Sequence, residues 1–184
     1  MSLRAFLFLL IPVLLAIGTG TGAYFAWQWF QPQKSDPQGM PTRLYARRIP
    51  GFRLPGLIEQ GFTSIDMINS GRPILLVFWS SWSAPCMQQH PVLLLLKDEG
   101  VPIWGIAYRD KRDPAADFLE RNTDPFERIA HDEPGRVAVD FRMEMVPETF
   151  LVDGDGFVRW HMVGPLTTDM VKRQILPLMK KFSN

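Results

Sequence analysis

The only cysteine of the chain, Cys86, closes the stretch Val77-Phe-Trp-Ser-Ser-Trp-Ser-Ala-Pro-Cys86, and Pro91 follows five residues later. A thiol reacts as its thiolate, so its chemistry depends on what surrounds it. Ile74 to Trp79 is an unbroken apolar run preceded by the turn residues Gly71 and Pro73, the pattern of a strand buried on both faces. Ser83 is a favoured N-cap type, so Ala84 and Pro85 open a helix and Cys86 falls at its third position, beside amides that have no intrahelical partner. The positive field of a helix start favours the thiolate there. Pro91 lies inside the apolar stretch Met87 to Leu96 and is expected to kink that helix rather than end it. With one cysteine, no intramolecular disulfide can form, and any disulfide must be made with another molecule. Cys86 also has a purely structural reading as a small buried residue.

The elements that position this stretch follow in order. Ala5 to Phe30 carries no charge and, at about 1.5 Å per residue, is long enough to cross a hydrocarbon core of about 30 Å. It reads as a transmembrane anchor. The small residues Gly18 to Ala23 also fit a cleaved signal peptide, but Tyr24, Trp27 and Trp29 suit a membrane interface and favour retention. Gln31 to Pro41, with three prolines and Gly39, reads as a linker. Phe52 to Leu54 and Phe62 to Ile68 are expected to form a short strand and a short helix. Val101 to Ala107 is a second buried strand, and Asp110 to Pro114 turns the chain into a helix around Ala115 to Arg121. Alternating strand and helix imply parallel pairing with helical crossovers. Thr149 to Val152 and Phe157 to Met162 flank Asp153-Gly-Asp-Gly156, a hairpin signal. Thr167 or Thr168 caps a last helix through Phe182, which Pro177 distorts.

Composition excludes some functions. The chain has 184 residues, one domain of common size plus a tail. Of 20 Lys and Arg only Arg4 precedes Lys34, so the remainder carries 19 basic against 19 acidic residues and has no electrostatic footprint for nucleic acid. His90, His131 and His161 have no ligand-like spacing, and neither metal nor cofactor is expected.

At the cysteine stretch the chain resembles the thioredoxin superfamily, whose redox motif is Trp-Cys-x-x-Cys followed by a helix-kinking proline. Here the match is Trp82-Ser83-Ala84-Pro85-Cys86 and Pro91, with Ser83 where the first, nucleophilic cysteine belongs and Cys86 at the resolving position. Gly105-Ile-Ala-Tyr-Arg-Asp110, Asp117-Phe-Leu-Glu120, Asp140-Phe141 and Val146-Pro-Glu-Thr-Phe-Leu-Val-Asp153 narrow the likeness, over about Phe52 to Gly164, to the DsbE/CcmG branch. That resemblance implies an α/β thioredoxin-like fold, a mixed central sheet flanked by helices with an antiparallel edge, behind an N-terminal transmembrane helix. The expected organisation is a cytoplasmic N-terminus at 1–4, an anchor at 5–30, a linker at 31–45 and the thioredoxin-like domain at 46–184. Charge bias alone does not orient the anchor; placing the domain in the periplasm, on the bacterial inner membrane, follows from the resemblance.

The resemblance also implies a site and partners. Pro147 would be the cis-proline that faces the redox motif, and Trp82, Ala84, Pro85, Val146, Pro147 and Glu148 would line the groove for an extended substrate. In the family the reduced cysteine pair passes electrons from a membrane thiol reductase to apocytochrome c or a thiol carrier in cytochrome c maturation. The first thiolate attacks the substrate disulfide and the second resolves the mixed disulfide. Ser83 cannot perform the first step, because its hydroxyl is not appreciably ionised near neutrality. The chain departs from the family elsewhere: Arg142-Met-Glu-Met-Val-Pro147 replaces the usual Gly-Val-x-Gly-Val-Pro, and Gln89 stands where an acid is common. The expected function is therefore a DsbE/CcmG-type protein with impaired dithiol chemistry. Two competing readings are a non-catalytic binding module using the same groove and a single-cysteine peroxidase using Cys86. The last matches half of the signature Pro-x-x-x-Thr/Ser-x-x-Cys but has Trp79 at the proline position.

Overall fold

The computed structural model describes residues 46–183. The expected N-terminus, anchor and linker lie outside the described residues. Among the described residues no helix is long and apolar enough to cross a membrane. Pro37–Asn184 forms a compact unit of its own, and its hydrophobic core runs from Ile49 to Met179.

The centre is a five-stranded sheet. β1 (Arg53–Leu54) and β2 (Phe62–Thr63) first form a small antiparallel ribbon, and α1 (Ser64–Asn69) starts from it. Sequence reading placed helix at Phe62 and Thr63. The chain stays extended there because Thr63 is the N-cap: its hydroxyl accepts from the Asp66 amide while the Asp66 carboxylate accepts from the Thr63 amide, a reciprocal capping box. β3 (Ile74–Trp79) is buried at every position, as its continuous apolar run requires. α2 (Ala84–Asp98) follows, then β4 (Ile103–Tyr108), α3 (Arg112–Asn122), β5 (Arg128–Asp132) and α4 (Arg136–Asp140). β6 (Glu148–Val152) and β7 (Val158–Val163) form the expected hairpin around Asp153-Gly-Asp-Gly156.

The strand order is β5-β4-β3-β6-β7. β3, β4 and β5 run parallel, whereas β6 lies antiparallel to β3 and β7 antiparallel to β6, so the antiparallel part is wider than a single edge. The hairpin reaches only as far as Val152 opposite Ile74 at one end and Glu148 opposite Phe78 at the other. This register puts the residues just before Glu148 beside the residues just after Trp79.

β5 and α4 carry no strong sequence signal, since Arg128-Ile-Ala-His-Asp132 is charged at both ends. Their placement is tertiary. Pro55 to Leu57 cover the outer edge of β5, with the His131 amide donating to Pro55 O and the Leu57 amide to Ile129 O. Arg112 holds that segment by donating to the carbonyls of Gly56 and Leu57. The Asp132 carboxylate then caps α4 through the amides of Arg136 and Ala138.

The last helical segment starts at α5 (Thr168–Met170), capped by Thr167, passes through a π turn at Val171–Ile175 and ends in α6 (Leu176–Phe182). Pro177 lacks an amide hydrogen, and the wide turn immediately before it is the expected distortion.

Candidate functional site

The site is built where β3 turns into α2. Ser83 is the N-cap residue, with extended backbone angles, and its carbonyl accepts from the amides of Cys86 and Met87. Pro85 occupies the first turn, where a missing amide hydrogen costs nothing. The helix continues through Pro91 to Asp98. The Ser83 hydroxyl makes no capping bond. It donates instead to Val146 O at 3.4 Å, and the Val146-Pro147 peptide bond is cis.

Three consecutive residues hold the turn before α2 to three consecutive residues at the end of β4, Tyr108 to Asp110. The Ser80 hydroxyl donates to Tyr108 O at 2.6 Å. Ser81 donates its amide to Asp110 Oδ2 at 2.5 Å and its hydroxyl to Oδ1 at 3.1 Å. The Trp82 indole donates to Arg109 O at 3.1 Å. Asp110 is buried, and His131 fixes it further by a ring-nitrogen contact to Asp110 O at 2.8 Å. Parallel pairing of β3 with β4 brings these two strand ends together.

Cys86 is a buried free thiol, 6% exposed. Burial pushes the thiol above its ordinary value, and the Asp110 charge adds to this, while hydrogen bonding from the Ser83 side chain and the Ser80 backbone opposes it. Desolvation therefore outweighs the favourable field at the helix start. Trp82 is 59% exposed and leans toward Arg109, so it does not cover the sulfur. Ala84 and Pro85 are also exposed, so the motif presents Trp82, Ala84 and Pro85 to solvent and keeps the sulfur below them.

On the other side of the site, Val146, Pro147 and Glu148 are buried. Glu148 does not face the solvent groove. Its Oε1 lies 2.5 Å from His161 Nε2 on β7, and its Oε2 accepts the Glu144 amide at 3.0 Å. Glu148 thus braces the loop leading into Pro147, a role that its sequence position does not reveal, and His161 completes the brace from across the hairpin. Arg142, where the related pattern has glycine, takes φ of 54°, a left-handed conformation. Gln89 is buried and accepts the Leu166 amide at 2.7 Å, so a neutral acceptor is what this packing uses.

The remaining histidine also has a local task. Nε2 of His90 lies 2.9 Å from the carbonyls of both Asn122 and Thr123, linking α2 to the end of α3. Among the described residues no cluster of His, Cys, Asp or Glu is arranged to hold a metal ion.

The fold, the strand-turn-helix and the facing Val146-Pro147 loop agree with relationships across the whole chain. Residues 46–161 match the AhpC/TSA family. The chain is 38% identical over 170 residues to the thiol:disulfide interchange protein HelX of Rhodobacter capsulatus, covering 92% of this chain and 93% of that protein. It is 31% identical over 177 residues to the thiol:disulfide interchange protein DsbE of Escherichia coli K12, covering 95% of each. The chain belongs to the AhpC/TSA family and, within it, to the DsbE-type thiol:disulfide interchange proteins. A crystal structure described as DsbE of Chlorobium tepidum superimposes with a TM-score of 0.62 at 27% identity, covering 73% of this chain and 97% of that one. The DsbE-type domain here is thus a thioredoxin-like α/β fold with a mixed sheet flanked by helices, and Ser83, Cys86 and Val146 meet at the head of α2.

Proposed function

We infer that this chain is a membrane-anchored periplasmic protein of cytochrome c maturation that holds apocytochrome c, or a partner thiol protein, beside Val146 without turning over disulfides on its own. The observation that carries the reading is the contact of Ser83 with Val146 O. A buried hydroxyl, 5% exposed, stands in the position where the related motif has its attacking thiol, and Cys86 is the chain's one sulfhydryl. Dithiol exchange needs an attacking thiolate and a second thiol to release the mixed disulfide. Here the attacking group is missing and the second is buried, whereas the cis Val146-Pro147 loop that faces the motif is retained. Trp82, Ala84 and Pro85 on one side and Val146 and Pro147 on the other are the two walls of this reading, and Glu148, buried behind them, braces the loop. Anchoring by residues 5–30, with the domain on the periplasmic face of the inner membrane and a membrane thiol reductase nearby, is supported by the apolar stretch and by the family.

The test is a pair of measurements on the chain with Ser83 in place. Fluorescence anisotropy should detect binding of a labelled Cys-x-x-Cys-His peptide, and insulin reduction by dithiothreitol should proceed no faster than its uncatalysed rate. Turnover matching a two-cysteine thioredoxin would refute the non-catalytic part of the proposal. No peptide binding, with the fold intact by circular dichroism, would refute the client.

A further inference from the structure

The end of the sheet opposite the redox motif carries a chain of cations and rings that the function above does not use. Arg48 Cζ lies 5.6 Å from the centre of the Phe157 ring, and Arg159 Cζ lies 5.2 Å from Phe157 and 5.3 Å from Phe182. Lys181 Nζ completes the series, 5.4 Å from Phe182. Arg47, Arg48, Lys180 and Lys181 are exposed, and both rings are half-buried with part of their surface open to solvent. Of the acidic groups in the same hairpin, Asp153 is committed to Arg159 at 2.6 Å and only Asp155 is exposed. Exposed Glu99 lines the same cleft as Lys180, so cations outnumber exposed acids on this face, in a chain whose charges balance as a whole after Arg4.

Its position adds a second observation. Arg47 and Arg48 sit where the described chain begins: Ala46 N donates to Val158 O, Val158 N donates to Arg47 O, and Arg48 bridges Phe157. The sequence leaves fifteen residues, Gln31 to Tyr45, between the uncharged stretch and this point. A flexible segment of that length has an end-to-end distance of roughly 20 Å. Juxtamembrane clusters of Lys and Arg are attracted to anionic lipid, and aromatic rings suit the interface.

We propose that the Arg47, Arg48, Lys180 and Lys181 face, with Phe157 and Phe182, docks on an anionic bilayer surface. The inference rests on the reading of the chain as membrane-anchored. It also orients the domain: the hairpin turn lies at the Ile74 end of β3, and the motif follows Trp79 at the other end, about 20 Å away for six strand residues. Docking through the basic face turns Ser83 and Val146 away from the lipid, toward a client approaching from the aqueous side.

Co-sedimentation with vesicles tests this on Pro37–Asn184, the compact unit that contains the core and lacks the apolar stretch. Binding to phosphatidylcholine vesicles containing phosphatidylglycerol is expected, falling with salt, and pure phosphatidylcholine should bind at least tenfold more weakly. The triple substitution Arg48→Ala, Lys180→Ala, Lys181→Ala should weaken binding at least tenfold, while Lys111→Ala with Arg121→Ala, removing exposed charges elsewhere, should not. No binding, equal binding to both vesicle types, or equal loss in both variants overturns the proposal. Alkaline extraction of the full chain from membranes reads the anchor separately, so loss of one reading leaves the other measurable.

Discussion

The hydroxyl of Ser83 donates to the backbone carbonyl of Val146, 63 residues away in sequence, at 3.4 Å. This contact joins the head of α2 to the loop before β6. It places the residue in the motif's first position directly against the backbone of the cis Val146-Pro147 loop.

A cysteine at position 83 should pair with Cys86. The two positions are three residues apart across the first turn of α2, a spacing compatible with the Cα separation of about 4.4–6.8 Å that disulfides require. Ser83→Cys is expected to form an intramolecular disulfide in oxidised glutathione, seen as loss of both free thiols by mass spectrometry. It should also gain insulin reductase activity. Two thiols that stay free would contradict the placement of this turn.

Cys86 should alkylate slowly in the folded protein and at least tenfold faster in denaturant, because the thiol is buried and its ionisation is suppressed. The sign for stability follows. A folded pKa above the unfolded one means that the native state holds its proton longer, so stability is fully present below the unfolded value of about 8.5 and declines as pH rises through the folded value. Urea midpoints should fall above about pH 9 in the protein and fall less in Cys86→Ala, after correction for the other groups common to both. Equal labelling rates in both states would show the sulfur to be accessible.

Removing one member of the Glu148 and His161 pair should be costly. Their side chains are 1% and 6% exposed, and a buried polar group left without its hydrogen-bond partner costs about 1–3 kcal/mol. His161→Ala should lose stability on that scale by urea denaturation, and Glu148→Gln, which keeps a carbonyl acceptor for the Glu144 amide, should lose less. A loss below about 1 kcal/mol for His161→Ala would mean that the brace is not needed to hold the loop.

Arg142→Gly should stabilise the protein. Arg142 is exposed and its φ is 54°, a region that costs a non-glycine residue about 1–2 kcal/mol, against about 0.5–1 kcal/mol for the greater freedom of glycine in the unfolded chain. A net gain of roughly 0.5 kcal/mol is expected in chemical denaturation. A net loss would assign Arg142 a stabilising contact that outweighs the strain.

Much of this protein follows from local sequence. Ile74 to Trp79 is a strand because six apolar residues in a row need cover on both faces, and Asp153 to Gly156 is a turn because its residue types favour one. The strand, the Ser83 helix start and the hairpin depend on neighbours a few residues apart, and they carried the family resemblance with them. Other features depend on strand order. β5 has a charged, unremarkable sequence and becomes a strand because β4 pairs with one edge and Pro55 to Leu57 cover the other. The helix start by itself favours a thiolate at Cys86, yet the packing around the sulfur and the nearby Asp110 carboxylate reverse the direction. The family resemblance implies a groove role for Glu148, and only the β6–β7 register brings His161 against it and turns it into a brace. Local patterns set which segments form and where they start. Desolvation and long-range pairing, which act between residues far apart in the chain, decided what the site's side chains face and how they ionise.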